Sequence, residues 1–288
     1  MKTAVVTDSA ANLDPKDIKK YNIHVVPITV IFGKQTYLEN IDITANKFYK
    51  KLKTEKQLPT TSQITLGQMQ NMYNYLAKKG YDSVISIHLS SGITTFFENL
   101  KAFIPNIKNI KIYPFDSKIA SVGEADMALL AAKLIKQGKK PKEIIKQLKI
   151  LRKTIKVYLV VNDLSHLVRT GRLSNASAFV GNILRVKPIL TFKDGKIVVI
   201  QKERTTKRAY QFIKRKFTQD FRQANYPLRM AIVNANNLPL QKKWVQDIQQ
   251  NFPKTPINQS ELGPVIGVHV GPGTMAALWD RDWAQWPI

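Results

Sequence analysis

Four short polar stretches carry residue types that bind anions: Thr7-Asp8-Ser9, Pro59-Thr60-Thr61-Ser62-Gln63, Leu89-Ser90-Ser91-Gly92-Ile93-Thr94 and Asp116-Ser117. Each follows an apolar run or precedes a helical pattern. Hydroxyls and backbone amides therefore gather where open α/β sheets take ligands. Donors close to helix N-termini favour a carboxylate or a phosphate. One such loop alone is most simply a helix cap, but four of them point to a shared site.

Other chemistry is thinly supplied. The chain has no cysteine and only four histidines, His24, His88, His166 and His269, which are scattered. A thiolate or His-rich metal centre is not expected. No G-x-x-x-x-G-K-[ST], G-x-G-x-x-G or G-x-S-x-G motif is present, so phosphate-loop, dinucleotide and nucleophile-elbow chemistry lack their signatures. Ser91, His269 and Asp116 could form a hydrolytic relay only if the fold assembled them, with no spacing to support it. Acids are few and fall mostly on helix surfaces. Four later segments, 169–174, 181–188, 202–205 and 263–273, read as turns and element ends. His269 stands out among them, wedged against Gly271-Pro272-Gly273 at what reads as the end of a strand over Ile266–Val270.

The elements that must position these residues alternate. Strand patterns occur at Ala4–Ser9, His24–Phe32, Ser83–Leu89 and Ile110–Phe115. Between and after them lie helical patterns opening at Asp14-Pro15 and covering 44–53, 65–79, 94–104, 121–137 and 141–155. This rhythm predicts a mainly parallel sheet flanked by helices. From Val157 the pattern changes. Helical pieces at 164–168 and 175–184 precede Pro188–Phe192 and Lys196–Gln201, which are joined by Asp194-Gly195, a hairpin signal. Further helices are expected over 205–222 and 240–252, with strands at 230–234 and 266–270. The expected fold is two α/β domains, 1–155 with the parallel sheet and 156–288 with a smaller mixed sheet and helices.

The 288 residues suffice for two domains with real cores. With 44% hydrophobic residues the chain is no disordered or low-complexity sequence. No run approaches the roughly 20 apolar residues of a membrane span, and the short N-terminal apolar run meets Asp8 too early for a signal peptide. The expected location is the cytoplasm. Lys plus Arg exceed Asp plus Glu by 45 to 20, a formal charge of +25. Residues 1–150 hold 23 Lys and no Arg, whereas residues 151–288 hold 12 Lys and all 10 Arg. Arg offers a planar fork for carboxylate and phosphate, so specific anion or partner recognition is expected late in the chain.

Read in order, the four loops together with Gly171-Arg172-Leu173-Ser174, Gly181-Asn182, Lys187-Pro188, Asp194-Gly195-Lys196 and His269-Val270-Gly271-Pro272-Gly273 resemble the DegV family of fatty-acid-binding proteins. That family includes the carrier subunits of bacterial fatty acid kinase. The resemblance covers nearly the whole chain. It implies a long-chain fatty acid held between the two domains, with no catalytic residue, metal or cofactor. On this resemblance Thr61, Thr94 and His269 meet the carboxylate, with Ser62, Ser91 and Gly92 in the same loops. Arg204 and Arg172 contact the head group or a docked kinase. The implied partners are the fatty acid and a separate kinase subunit that forms the acyl phosphate. The charge adds an anionic membrane surface, at the inner face, as a further partner.

Departures occur at Thr94, Thr95 and Phe96, where the family reads Ser, Gly and a small polar residue. The tail places Trp279, Trp283 and Trp286 at helical spacing, suited to a membrane interface, a partner or packing back on the protein. Two other functions compete: a basic nucleic-acid binder, disfavoured because no zinc-finger or RNP aromatic motif is present, and a serine hydrolase acting on an acyl substrate.

Overall fold

The computed structural model describes residues 2–174 and 186–287. The expected helix at 175–184, with Gly181-Asn182, lies outside them. The first half runs β1 (Thr3–Asp8), α1 (Pro15–Tyr21), β2 (Ile23–Val26), β3 (Thr29–Phe32), β4 (Gln35–Leu38), α2 (Ala45–Thr54), β5 (Thr60–Ser62), α3 (Leu66–Lys78), β6 (Ser83–His88), α4 (Phe96–Phe103), β7 (Lys111–Asp116), α5 (Val122–Lys136) and α6 (Pro141–Thr154). The second half continues β8 (Lys156–Val160), α7 (Ser165–Arg169), β9 (Lys187–Lys193), β10 (Lys196–Glu203), α8 (Thr206–Gln223), β11 (Leu228–Asn234), α9 (Leu238–Asn251), β12 (Ile257–Glu261), α10 (Pro264–Val270) and β13 (Met275–Arg281).

Strands β2-β1-β6-β7 form a wholly parallel sheet. Its carboxyl ends carry the loops after His88 and Asp116, as the alternation of patterns predicts. A buried polar chain holds the first of these loops. Tyr73 bonds Ser86 at 2.8 Å, Ser86 bonds His88 Nε2 at 2.7 Å, and His88 Nδ1 lies 3.0 Å from Asp8 Oδ2. The same Asp8 oxygen accepts the Leu89 amide at 3.1 Å, which fixes where the Ser90–Thr94 loop leaves the sheet.

A second, antiparallel sheet has the order β4-β3-β5. The stretch around Thr61, read as a loop, is strand β5, with Thr61 opposite Val30. Three polar residues carry no alternation to mark a strand; it exists because β3 offers it an edge.

The mixed sheet, β10-β9-β8-β13-β11-β12, has six strands and is the wider one. The expected hairpin is there: Asp194 and Gly195 turn with φ of 51° and 83°, the left-handed pair that joins β9 to β10. The chain differs from expectation after Gly263. Residues 264–270 form helix α10 rather than a strand, begun by Pro264 and stopped by Gly271 at φ 74°. Their β-branched side chains suggest a strand, but Pro at the first turn and Gly at the end define a helix. The last strand is β13, paired on both sides by β8 and β11. Trp279 lies in it, stacked on Tyr158 with ring centroids 5.2 Å apart. Trp283 and Trp286 are buried as well. Lys133 Nζ donates to the Ala284 carbonyl at 2.7 Å, and Trp286 Nε1 donates to Gln147 Oε1 at 3.1 Å. The tail packs back on α5 and α6 and presents no Trp to a membrane.

Candidate functional site

A cavity of about 640 Å³ lies between the carboxyl ends of the parallel sheet and the face of the mixed sheet. Ile28, Ile64 and Val122 wall it from one side; Leu159, Phe192 and Leu278 wall it from the other. The volume is within the usual range for small-molecule sites, and a mostly apolar wall suits a hydrocarbon.

The polar residues are clustered. Thr61, Ser62, Ser91, Gly92, Thr94, Arg172 and His269 all line the cavity. Thr61 Oγ1, held by β5, lies 2.9 Å from His269 Nε2 at the end of α10. Burial pushes His269 down to about 3, and the nearby Arg172, Arg169 and His166 push the same way. The ring is therefore neutral near pH 7. If Nε2 carries the proton, the ring donates to Thr61, and the Thr61 hydroxyl is free to donate to an anion. His269 Nδ1 is buried without a partner among the described residues.

Positive charge stands beside this pair but is tied to backbone. Arg172 Nη1 donates to the Thr170 carbonyl at 2.6 Å, and Arg169 Nη2 donates to the Pro59 carbonyl at 3.3 Å. The Arg169 bond ties α7 to the start of the Thr61 strand. Arg204 is not brought to the site. It is exposed in the turn between β10 and α8 and is absent from the cavity wall; among the described residues, the arginines whose charge reaches His269 are Arg172, just beyond α7, and Arg169 within it.

The remaining residues of the set do other work. Ser91 Oγ donates to Asp116 Oδ2 at 2.5 Å and accepts from Lys118 Nζ at 2.7 Å. Burial works to raise the Asp116 carboxyl, but hydrogen bonds from Lys118 and Ser91 outweigh it and hold the group below the usual carboxylate range. No hydrogen bond joins Ser91 to His269 among the described residues, and His269 is engaged by Thr61. The Ser91–His269–Asp116 relay of a hydrolase is therefore not formed: the serine faces a carboxylate held in an ion pair rather than a base.

Gly92 is required by a close approach. A Cβ there would lie 2.3 Å from the Gly195 carbonyl oxygen, and Ser90 Oγ donates to that oxygen at 2.7 Å. The tip of the β9–β10 hairpin is thus fastened over the loop from the other half. Thr94 Oγ1 accepts the Phe96 amide at 3.2 Å at the start of α4; its own proton remains available to the cavity. Phe96 is buried and lies edge-on to His88, with centroids 5.0 Å apart. The bulkier residue at that position is absorbed largely by the core.

One residue that the sequence pattern does not mark is Glu39. It is buried at 2% exposure and accepts the Val265 amide of α10 at 2.8 Å. An acid is uncommon in this chain, and Glu39-Asn40 after an alternating stretch was the available signal.

The DegV family model, described as an uncharacterised protein family, matches residues 2–282. Protein DegV of Bacillus subtilis is 41% identical over 280 residues, which are 97% of this chain and 99% of its own length. A DegV domain-containing protein of Halalkalibacterium halodurans is 39% identical, over 96% of this chain and 98% of its own. Among solved structures, DegV from Bacillus subtilis, described as a fatty acid binding protein, matches with a TM-score of 0.91 at 40% identity, covering 98% of this chain and 99% of that one. A fatty acid binding DegV family protein from Streptococcus agalactiae matches with a TM-score of 0.90 at 31% identity, covering 98% and 99%. The loops, the two sheets that enclose the cavity and these full-length matches agree: the chain belongs to the DegV family.

Proposed function

We propose that this protein binds a long-chain fatty acid in the cavity between its sheets, with the tail along the apolar wall and the carboxylate at the Thr61–His269 pair. The observation that carries this reading is a largely apolar cavity whose polar residues include a neutral hydrogen-bonding pair. Relatives with the same fold are described as fatty acid binding proteins. In this reading residues 1–155 and 156–288 act as two domains that close on the ligand. Thr61 and His269 hold the head, Thr94 adds a second hydroxyl, and Arg172 supplies positive potential. Ser62 borders the head group. Ser91 and Gly92 shape the loop, because the Ser91 side chain is committed to Asp116.

Each buried CH₂ contributes roughly 0.8 kcal/mol, so the tail provides most of the affinity. Neutral donors hold the head without a tight ion pair, which leaves the carboxylate reactive towards a partner. The finer proposal is therefore a carrier that presents the carboxylate to a separate fatty acid kinase, with Arg204 on a docking face, and that visits the anionic inner face of the membrane through its +25 charge. Raised salt should release it from anionic vesicles.

A chain-length series tests the central reading. Titration with saturated acids from eight to sixteen carbons should show affinity rising about fourfold per added CH₂ until the cavity is full. Affinity independent of chain length would overturn it.

A further inference from the structure

Helix α10 has no side-chain cap of its own. The Val265 amide in its first turn is met instead by a residue from the far end of the sequence. Glu39 follows β4, and its amide donates to the Ile28 carbonyl at 3.0 Å, so it is anchored to the start of β3. Its Oε1 accepts the Val265 amide at 2.8 Å, a contact that reaches across 226 residues. The fit is close. A Cβ on Gly263 would stand 2.5 Å from that same oxygen, so no larger residue fits at 263 while Glu39 keeps its place. Four residues after Val265, one helical turn on, α10 presents His269. The other member of the pair, Thr61, is registered against Val30 of β3, and β3 is the strand paired with β4 ahead of Glu39.

A closed path thus runs from Thr61 through β3 and β4 to Glu39, across to Val265, and along α10 to His269. Thr61 comes from the first half of the chain and His269 from the second. A shift of α10 along its own axis by a fraction of a turn would break a 2.9 Å contact. Tyr49, whose hydroxyl donates to the Leu262 carbonyl at 3.0 Å, seats the approach to α10, and Gly267 lies tight against Phe48 and Tyr49. Those contacts set the helix against α2. Glu39 is the side chain that holds the helix by its end.

We infer that Glu39 is a positioning residue for the head-group pair: by holding the Val265 amide it sets the place of α10 and so the distance between His269 and Thr61. Burial pushes its carboxyl up to about 7; the neighbouring Ser9 hydroxyl and the Val265 amide oppose this and the nearby Asp8 charge adds to it. A neutral glutamine is therefore a fair replacement, whereas alanine leaves the amide without its acceptor.

The inference rests on the fatty-acid reading only for what binds at the pair, and the test separates the two. The ring nitrogens of His269 are followed by long-range proton–nitrogen NMR in the ligand-free protein, for wild type, Glu39→Ala, Glu39→Gln and Gly263→Ala. The last variant displaces Glu39 from the other side and serves if Glu39→Ala does not fold. Glu39→Ala and Gly263→Ala should shift the Nε2 resonance away from its hydrogen-bonded value, and Glu39→Gln should restore it. In parallel, Glu39→Ala should bind oleate about tenfold more weakly, the equivalent of one lost polar contact. Oleyl alcohol, which shares the tail but not the carboxylate, should change no more than about twofold. A merely structural role would affect both ligands alike. An unmoved His269 resonance in folded Glu39→Ala or Gly263→Ala would overturn the inference, as would a folded Glu39→Gln that fails to restore it. If wild type binds no oleate, the fatty-acid reading falls while the NMR arm still decides the role of Glu39.

Discussion

Replacing Thr61 by Val removes one hydroxyl and keeps the branched shape on an edge-paired strand. The hydroxyl is 2.9 Å from His269 Nε2, and both residues line the cavity. With a fatty acid bound, the proposed loss is one hydrogen bond to a charged group, about 1.5–3 kcal/mol. That is roughly a 10- to 150-fold weaker affinity. The tail is untouched, so its roughly 0.8 kcal/mol per CH₂ remains. The ring of His269 would lose its only bonded nitrogen, because Nδ1 already lacks a partner among the described residues. That cost falls on the free protein as well, and should lower its melting temperature by a few degrees at about 2–4 °C per kcal/mol. The assay is displacement of a fluorescent fatty acid by oleate and by oleyl alcohol, for wild type and Thr61→Val. Oleate should weaken by the factor above and oleyl alcohol by less than about threefold. Equal losses for both ligands, or none, would refute the placement of the carboxylate at this pair.

Two further predictions concern stability. Gly92→Ala forces a Cβ to within 2.3 Å of the Gly195 carbonyl oxygen; calorimetry should show a loss of about 1–3 kcal/mol, as for other overpacked sites, and an unchanged melting temperature would mean that the hairpin tip is not fastened there. Asp126 is buried between α5 and the β11–β13 pair; burial pushes its carboxyl up to about 6, and the nearby Arg229 pulls the other way. A carboxyl raised in the folded state stabilises fully below its unfolded value, and that contribution is lost as pH rises through the folded one. Wild type should therefore lose stability relative to Asp126→Asn between about pH 4 and 6, followed by denaturant melts; a gap that widens in favour of wild type would contradict this.

Most of the parallel sheet was readable because its strands are short apolar runs separated by amphipathic helices, and its ligand loops fall at carboxyl ends by topology; the run expected as one strand over His24–Phe32 instead divides into β2 of that sheet and β3 of the antiparallel one. The hairpin at Asp194-Gly195 was readable from turn chemistry alone. What stayed hidden depends on contacts between distant segments. Strand β5 is three polar residues that need β3 beside them. Helix α10 carries strand-like side chains, and its identity rests on Pro264, Gly271 and a cap that comes from Glu39. The Trp residues of the tail share helical spacing, yet one lies in a strand and all are buried. At the site, the motifs that carry the resemblance singled out Thr61, Thr94 and His269, and all three line the cavity. They did not show that Ser91 is committed to Asp116, that Gly92 exists for the approach of Gly195, or that Arg204 stands outside the cavity wall.

The most direct test is what the cavity holds when the protein is purified. Native mass spectrometry, followed by solvent extraction and lipid analysis of the same sample, should show one long-chain fatty acid per chain, lost or reduced in Thr61→Val. A protein that carries no lipid and takes up neither oleate nor palmitate when offered would contradict the central claim.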